Sequence, residues 1–260
     1  MVIKTHLISG AGNTFHIVSE LSNSSPTMLW SIDEKRALAQ KICSKYFADG
    51  FIFLKNKENL TWNFFNNDGS KAEMCGNATR CVGFYLSEII KDQKSDWILQ
   101  TTAGPIQILK ITANSYQVRM TPIRYLQSTK GFYCNTGVPH LVREVADLAL
   151  YLNLKSEAAA LRNDVEFRPQ GTNVTYVQLL DDKNSIKAIS YERGVEDFTQ
   201  ACGTGALAAA AFNLMKRGSL ETQVEMPGGT LMMNLVDLES PVMIGPAELL
   251  GKYEYENFFG

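Results

Sequence analysis

Cys75-Gly76 and Cys202-Gly203 each head a helix-spaced run, and they stand 127 residues apart in a chain of 260. The flanks repeat too. Each half reads as strands, a Cys-headed helix and then more strands. A chain patterned twice in this way is expected to fold as α+β in two pseudo-symmetric lobes. Each lobe would be a curved, mostly antiparallel sheet or barrel around a central helix. The expected lobes are 1–120 and 121–249, joined near Met120 to Gln127.

Alternating or short apolar stretches mark the strands, as in "FIFL" (51–54), "TWNFFN" (61–66), "VTYVQLL" (174–180) and "IKAISY" (186–191). Asp68-Gly69, Gly104-Pro105 and Pro227-Gly228-Gly229 supply turns between such runs. Ser31 and Glu34 form a capping box ahead of Ala37, Leu38, Ile42 and Tyr46, which share one helical face. A second helix is predicted over roughly 143–153, with Val145, Leu148, Ala149 and Leu152 inward. The Cys-headed helices hold Val82, Tyr85, Leu86 and Ile89 in one case and Ala206 to Lys216 in the other, the latter stopped by Gly218.

Charge narrows the partners. A net charge of −2 gives no basis for binding nucleic acid or an anionic membrane. The longest apolar run, Ala206 to Phe212, is too short to span a bilayer, and "MVIKTHLISG" lacks the apolar core of a secretory signal. Five cysteines make no even disulfide framework. The expectation is a cytoplasmic protein with reduced thiols that acts on a small molecule.

A cysteine at a helix N-terminus lies beside unpaired N–H groups and the positive end of the helix dipole. That setting is expected to bring a thiol pKa from ~8.5 down to about 3.5–7.5. The same N–H groups can cradle a carboxylate, and the adjacent glycine lets the ligand approach. Two such corners supply two acid/base sulfurs. One thiolate and one thiol on opposite sides of an acidic carbon invert it, and their titrations are coupled. Cys43, Cys81 and Cys134 read as buried small hydrophobes. No cysteine spacing suggests zinc, and no metal is expected.

The blocks that carry these corners resemble the diaminopimelate epimerase family from end to end. "GAGNTF" (10–15), "FNNDGSKAEMCGNATRC" (65–81), "TGVPH" (136–140), "GTNVTYVQ" (171–178) and "YERGVEDFTQACGTGALAAA" (191–210) fall in the family's order. The resemblance implies a two-lobed fold with the active site in the cleft between the lobes. It also implies a C-terminal strand, about 250–260, that returns to the first lobe. It implies racemase chemistry without pyridoxal phosphate or metal, a homodimer, and conversion of LL- to meso-diaminopimelate for lysine and peptidoglycan synthesis. By motif position Cys75 and Cys202 carry over as the acid/base pair. Gly76 with Asn77, and Gly203 with Thr204, carry over as N–H cradles. Asn13, Asn66, Asn173, Glu192 and Arg193 match substrate-binding positions, and His140 matches the active-site histidine.

Three features depart from the family pattern. Val138 stands where the family has Asn, "NATR" replaces Asn-Gly-Ala-Arg, and one extra residue precedes Cys202. They motivate an alternative expectation: a sister cofactor-independent racemase of broader range, extending to glutamate. A non-catalytic amino-acid-binding protein is the reading of a different class. Binding alone needs no thiols, and both Cys-Gly corners are present.

Overall fold

The computed structural model describes residues 2–21, 25–55, 58–72 and 74–256. The chain forms two compact units, Met1–Val118 with Pro246–Gly260, and Arg119–Gly245. The first unit opens with β1 (Val2–Gly10), β2 (Asn13–Glu20), α1 (Ile32–Tyr46), β3 (Gly50–Lys55) and β4 (Thr61–Asn66). It continues through α2 (Gly76–Phe84), extended by a π-helical turn over Tyr85–Ile89, and then β5 (Asp96–Thr101), β6 (Gly104–Thr112) and β7 (Ser115–Arg119).

The second unit runs β8 (Arg124–Leu126), β9 (Phe132–Asn135), β10 (Pro139–Glu144), α3 (Lys155–Arg162), β11 (Asn173–Leu179) and β12 (Ser185–Glu192). It ends through β13 (Asp197–Phe198), α4 (Gly203–Arg217), β14 (Glu221–Met226), β15 (Gly229–Asn234) and β16 (Val242–Pro246). The chain then re-enters the first unit as β17 (Glu248–Glu256), antiparallel to β1.

The two units repeat one topology. From β17 through β1 to β7, successive pairings are antiparallel, antiparallel, parallel, antiparallel, parallel, antiparallel and antiparallel. From β8 to β16, with β13 as a side branch on β12, the series is the same. Each parallel step needs a crossover. Helix α1 and the segment containing α3 make the first crossover of their units, and α2 and α4 make the second. The fold is α+β as expected, but each sheet is open. The barrel alternative fails because the end strands of each series do not pair with each other among the described residues.

Strand β3 shows why its sequence is a continuous apolar run. Successive side chains point to opposite faces. Phe51 and Phe53 enter a core with α1, while Ile52 and Leu54 enter another with α2. Both faces are covered, so no polar alternation survives. Each such fully buried side chain stabilises the fold by about 1.5–3 kcal/mol. Helix α4 packs against the sheet of its unit, with Ala206 to Ala211 buried without a break and five alanines in that run letting the strands come close. Gly218 ends it at φ +69°, donating its N–H to the Leu214 carbonyl.

Two sequence expectations are corrected. Residues 143–144 continue strand β10, and the helical segment starts later, as a 3₁₀ turn at Tyr151–Leu154 followed by α3. Pairing of β10 with both β9 and β11 overrides the local helical spacing, and Leu152 is exposed. On α1 the buried face is Lys35, Leu38, Ala39, Ile42 and Cys43, so Ala37 faces out and a lysine faces in. The Lys35 ammonium lies 2.6 Å from Glu20 on β2, which explains its burial. No helix among the described residues is long and apolar enough to cross a membrane.

Candidate active site

In the first unit, Cys75 is the extended N-cap of α2 and is partly exposed. Gly76 and Asn77 open the helix, both buried. The Asn77 amide donates to Asn13 Oδ1 at 2.5 Å and accepts from Arg80 Nη2 at 2.9 Å. Arg80 is fully buried and also donates from Nε to the Pro246 carbonyl at 3.3 Å. Guanidinium can only donate, so it fixes Asn77 with its oxygen towards Arg80 and its NH₂ towards Asn13. Gly10 has no side chain for a packing reason: a Cβ there would lie 2.7 Å from the Asn77 carbonyl oxygen. Asn66, the last residue of β4, donates to Ser70 Oγ at 2.9 Å.

In the second unit, Cys202 is the extended N-cap of α4 and is 5% exposed. The Gly205 N–H donates to its sulfur at 3.3 Å, and the Thr204 hydroxyl lies 3.3 Å from the same sulfur. A Cβ on Gly205 would meet Ser190 Oγ at 2.1 Å, so only glycine lets the first turn of α4 lie this close to β12. His140 on β10 is directly beside Asn173 on β11. Its Nε2 is 3.0 Å from Thr204 Oγ1 and 3.2 Å from Asn173 Nδ2. Asn173 Oδ1 accepts the Arg193 N–H at 2.8 Å. Glu192 closes β12 and accepts the Thr199 hydroxyl.

The sequence-predicted residues therefore gather in two groups. Asn13, Gly76 and Asn77 surround Cys75, with Asn66 at the strand end that leads to it. His140, Asn173, Glu192, Arg193, Gly203 and Thr204 surround Cys202. The topology makes the groups equivalents, because each cysteine heads the second crossover helix of its unit. Asn66 and Glu192 likewise end equivalent strands. By strand register Phe15 sits beside Gly50 as His140 sits beside Asn173, which puts Val138 at the counterpart of Asn13. An apolar side chain there cannot repeat the link that Asn13 makes to its helix.

One electrostatic expectation is overturned at Cys202. Burial, then the Glu192 carboxylate, push its thiol above the ordinary range. The Thr204 hydroxyl and Gly205 N–H act in the opposite sense without cancelling them. Desolvation of a thiolate outweighs two donors and the helix dipole. Burial also holds the His140 imidazole neutral, with its pKa lowered to about 3. Cys43 and Cys134 are pushed up to about 12 by burial, and Cys81 is raised as well, as inert core thiols should be.

The motif reading missed Arg80, Thr175 and Ser190. Thr175 Oγ1 lies 2.9 Å from His140 Nδ1 and 2.9 Å from Ser190 Oγ. A cavity of about 1080 Å³ in the second unit is lined by Tyr125, Leu126, Phe132, Tyr133 and Met215 among others, and holds none of the candidate residues.

Comparison with known proteins agrees with the motifs. The family model for diaminopimelate epimerase matches residues 5–126 and 132–250. The diaminopimelate epimerase of Aquifex aeolicus (strain VF5) is 36% identical, over 80% of this chain and 80% of that one. That of Hydrogenobaculum sp. (strain Y04AAS1) is 32% identical, over 96% and 98%. Among solved structures, a phenazine biosynthesis protein of the PhzF family from Bacillus anthracis superimposes with a TM-score of 0.78 at 15% identity, covering 98% of this chain and 99% of that one. That likeness shows a shared fold. With the family model spanning nearly the whole chain, and with a Cys-headed helix at the same topological point of each unit, the chain belongs to the diaminopimelate epimerase family.

Proposed function

We propose that this chain is an isomerase that interconverts LL- and meso-diaminopimelate by two-base proton transfer through Cys75 and Cys202. One observation carries the reading. Equivalent crossover helices begin at a Cys-Gly corner in both units, each with a backbone N–H cradle beside the sulfur. One sulfur, as thiolate, takes the Cα proton, and the electron pair is left on carbon and delocalised into the α-carboxylate. The N–H groups of Gly76 and Asn77, and of Gly203 and Thr204, bind that carboxylate as its charge grows. The other sulfur, as thiol, returns a proton to the opposite face and becomes the thiolate. Net charge on the two sulfurs is conserved, and the reaction invokes neither pyridoxal phosphate nor a metal. The raised Cys202 thiol suits the proton-donor role in the resting enzyme. Asn13, Asn66, Asn173, Glu192 and Arg193 offer the donors and acceptors that a substrate with two amino-acid ends requires.

The relatives reported above are all named diaminopimelate epimerase, which supports this substrate over the broader-range racemase raised by Val138. The reading extends to a cytoplasmic homodimer serving lysine and peptidoglycan synthesis, with light scattering at enzyme concentration as the check on dimerisation. The main test is incubation with LL-diaminopimelate in D₂O, followed by chiral separation and mass spectrometry. The expected result is meso product carrying deuterium at one Cα. Cys75→Ala and Cys202→Ala should each abolish it, by at least about 10³-fold. Cys43→Ala, Cys81→Ala and Cys134→Ala should retain most activity. Full turnover in either of the first two variants would falsify the two-base reading.

A further inference from the structure

A continuous line of hydrogen bonds, buried at its start and part-buried where it reaches Thr204, leads from the middle of the second unit's sheet to the Cys202 sulfur. It runs Ser190 Oγ, Thr175 Oγ1, His140 Nδ1 and Nε2, Thr204 Oγ1, Cys202 Sγ, with steps of 2.9, 2.9, 3.0 and 3.3 Å. Ser190, Thr175 and His140 are all completely buried. The backbone sets the direction of this line. The Arg193 N–H can only donate, so it claims Asn173 Oδ1 and leaves the Asn173 NH₂ facing His140 Nε2. Nε2 is therefore an acceptor. The imidazole proton sits on Nδ1 and is donated to Thr175, whose own hydroxyl donates on to Ser190.

We propose that Thr175 and Ser190 are positioning residues that lock His140 as the neutral Nδ1–H tautomer, and that this makes the Thr204 hydroxyl a two-position donor. While Cys202 is a thiol, Thr204 donates to His140 Nε2. When Cys202 becomes a thiolate, Thr204 turns its hydrogen to the sulfur, and the Asn173 NH₂ keeps the Nε2 lone pair satisfied. The thiolate thus gains a donor without leaving a buried acceptor empty. In the thiol state the imidazole competes for that donor, which keeps Cys202 protonated and ready to deliver its proton. Only hydrogen-bond directions change within the relay. The sulfur exchanges its proton with substrate alone.

The charged group bearing on Cys202 is Glu192, at the end of β12. The first turn of α4 and the whole of β11 carry no charged residue. On β10, Arg143 is engaged by the Lys130 carbonyl and Glu157. In the first unit Phe15 occupies the topological place of His140, so no imidazole stands there.

The inference rests on Cys202 being one of the proton-transfer thiols, so its test separates the two claims. The chain has three histidines, so imidazole ¹⁵N NMR of the intact protein resolves the tautomer of each, assigned with His6→Gln and His16→Gln. The expected result is Nδ1–H for His140 from pH 6 to pH 9. An Nε2–H tautomer would overturn the proposal whether or not the protein epimerises diaminopimelate. The second measurement is the pH dependence of Cys202 alkylation by iodoacetamide, read at its own peptide. In Thr175→Val the Nδ1–H loses its acceptor, so the ring is no longer anchored from that side and Nε2 no longer holds the Thr204 hydroxyl. Thr204 is then freed to donate to sulfur, and the alkylation rate near neutral pH rises by about tenfold, one unit of thiol pKa. Ser190→Ala should shift it less, and Thr175→Ser should restore the wild-type curve. An unchanged curve in Thr175→Val, with the wild-type tautomer as expected, would sink the link to the sulfur. Absence of Cα exchange in the wild type bears on the proposed function and leaves the tautomer result standing.

Discussion

His16 and His140 are both fully buried imidazoles, and both are held neutral by desolvation, with pKa values lowered to about 4 and about 3. His16 is enclosed by the rings of Tyr46, Phe51 and Tyr253, with Nδ1 3.0 Å from Thr5 Oγ1. A folded-state pKa below the unfolded value of 6.5 means that the unfolded chain binds a proton the folded chain refuses. Stability is then full above about pH 6.5 and is lost as pH falls towards the folded pKa values. At pH 5 each histidine should cost about 2 kcal/mol relative to neutral pH. His6, lowered less by partial burial, adds in the same direction. Carboxylates titrate lower, so the window from pH 6.5 to 5 isolates the imidazoles. Urea unfolding midpoints should fall through that window. His16→Gln, which cannot titrate but can still bond Thr5, should flatten the fall by one proton's worth. An identical slope in wild type and variant would show that His16 is not buried neutral.

At the scale of elements, α1 is tied to β2 by a charge pair rather than by apolar packing alone. Lys35 and Glu20 meet at 2.6 Å with side chains 1% exposed, and Glu20 also accepts the Thr27 hydroxyl at 2.6 Å. Both charges are out of water, so each is costly without the other. Lys35→Met should destabilise the protein by about 3 kcal/mol, the low end for a broken buried pair, because Lys55 lies 3.9 Å from the stranded carboxylate. Adding Glu20→Leu should recover most of that loss, as measured by urea unfolding of the two variants. The same lysine shows where sequence reasoning stops. Periodicity placed Leu38 and Ile42 inward correctly, but it could not place a lysine inward, since its partner lies 15 positions away on another element. Strands with both faces covered, such as β3 and β11, were legible as apolar runs. Strands β8, β9 and β16 were not, because three to five residues of mixed character carry no periodic signal. The two cysteine corners were legible because glycine, a reactive side chain and a helix start coincide in sequence. Thr175 and Ser190 were not, because a hydroxyl inside a strand looks like ordinary β propensity until its partners are in place.

At the scale of the whole molecule, the two units share a topology but not a chain plan. The second unit is one continuous segment, whereas the first needs the C-terminal strand to complete its sheet. Strand β17 pairs with β1 from Val2 opposite Glu256 to Ser9 opposite Glu248, with a bulge between Leu7 and Ile8. It also carries Tyr253 and Tyr255 onto His16 and Tyr46. Just before it, Ala247 is fully buried in the core with α2, and the Pro246 carbonyl accepts from Arg80. Ending the chain at Gly245 would remove all of these together. It would make β1 an unpaired edge, open the aromatic cover of His16, and take one acceptor from a buried guanidinium that orients Asn77. Each of the last two losses costs about 1–3 kcal/mol, and the lost sheet edge adds to them. That sum is a large fraction of the 5–15 kcal/mol by which a folded domain is typically stable. The truncated chain should therefore lose amide protection throughout β1 and β2 and the first turn of α2. Strand β11 should keep its protection, because the cluster of Leu148, Val174, Tyr176 and Tyr191 draws on no residue beyond Gly245. Hydrogen exchange with peptide-level mass spectrometry reads both halves in one experiment. Native protection of β1 in the truncated protein would show that the first unit holds its sheet without the returning strand.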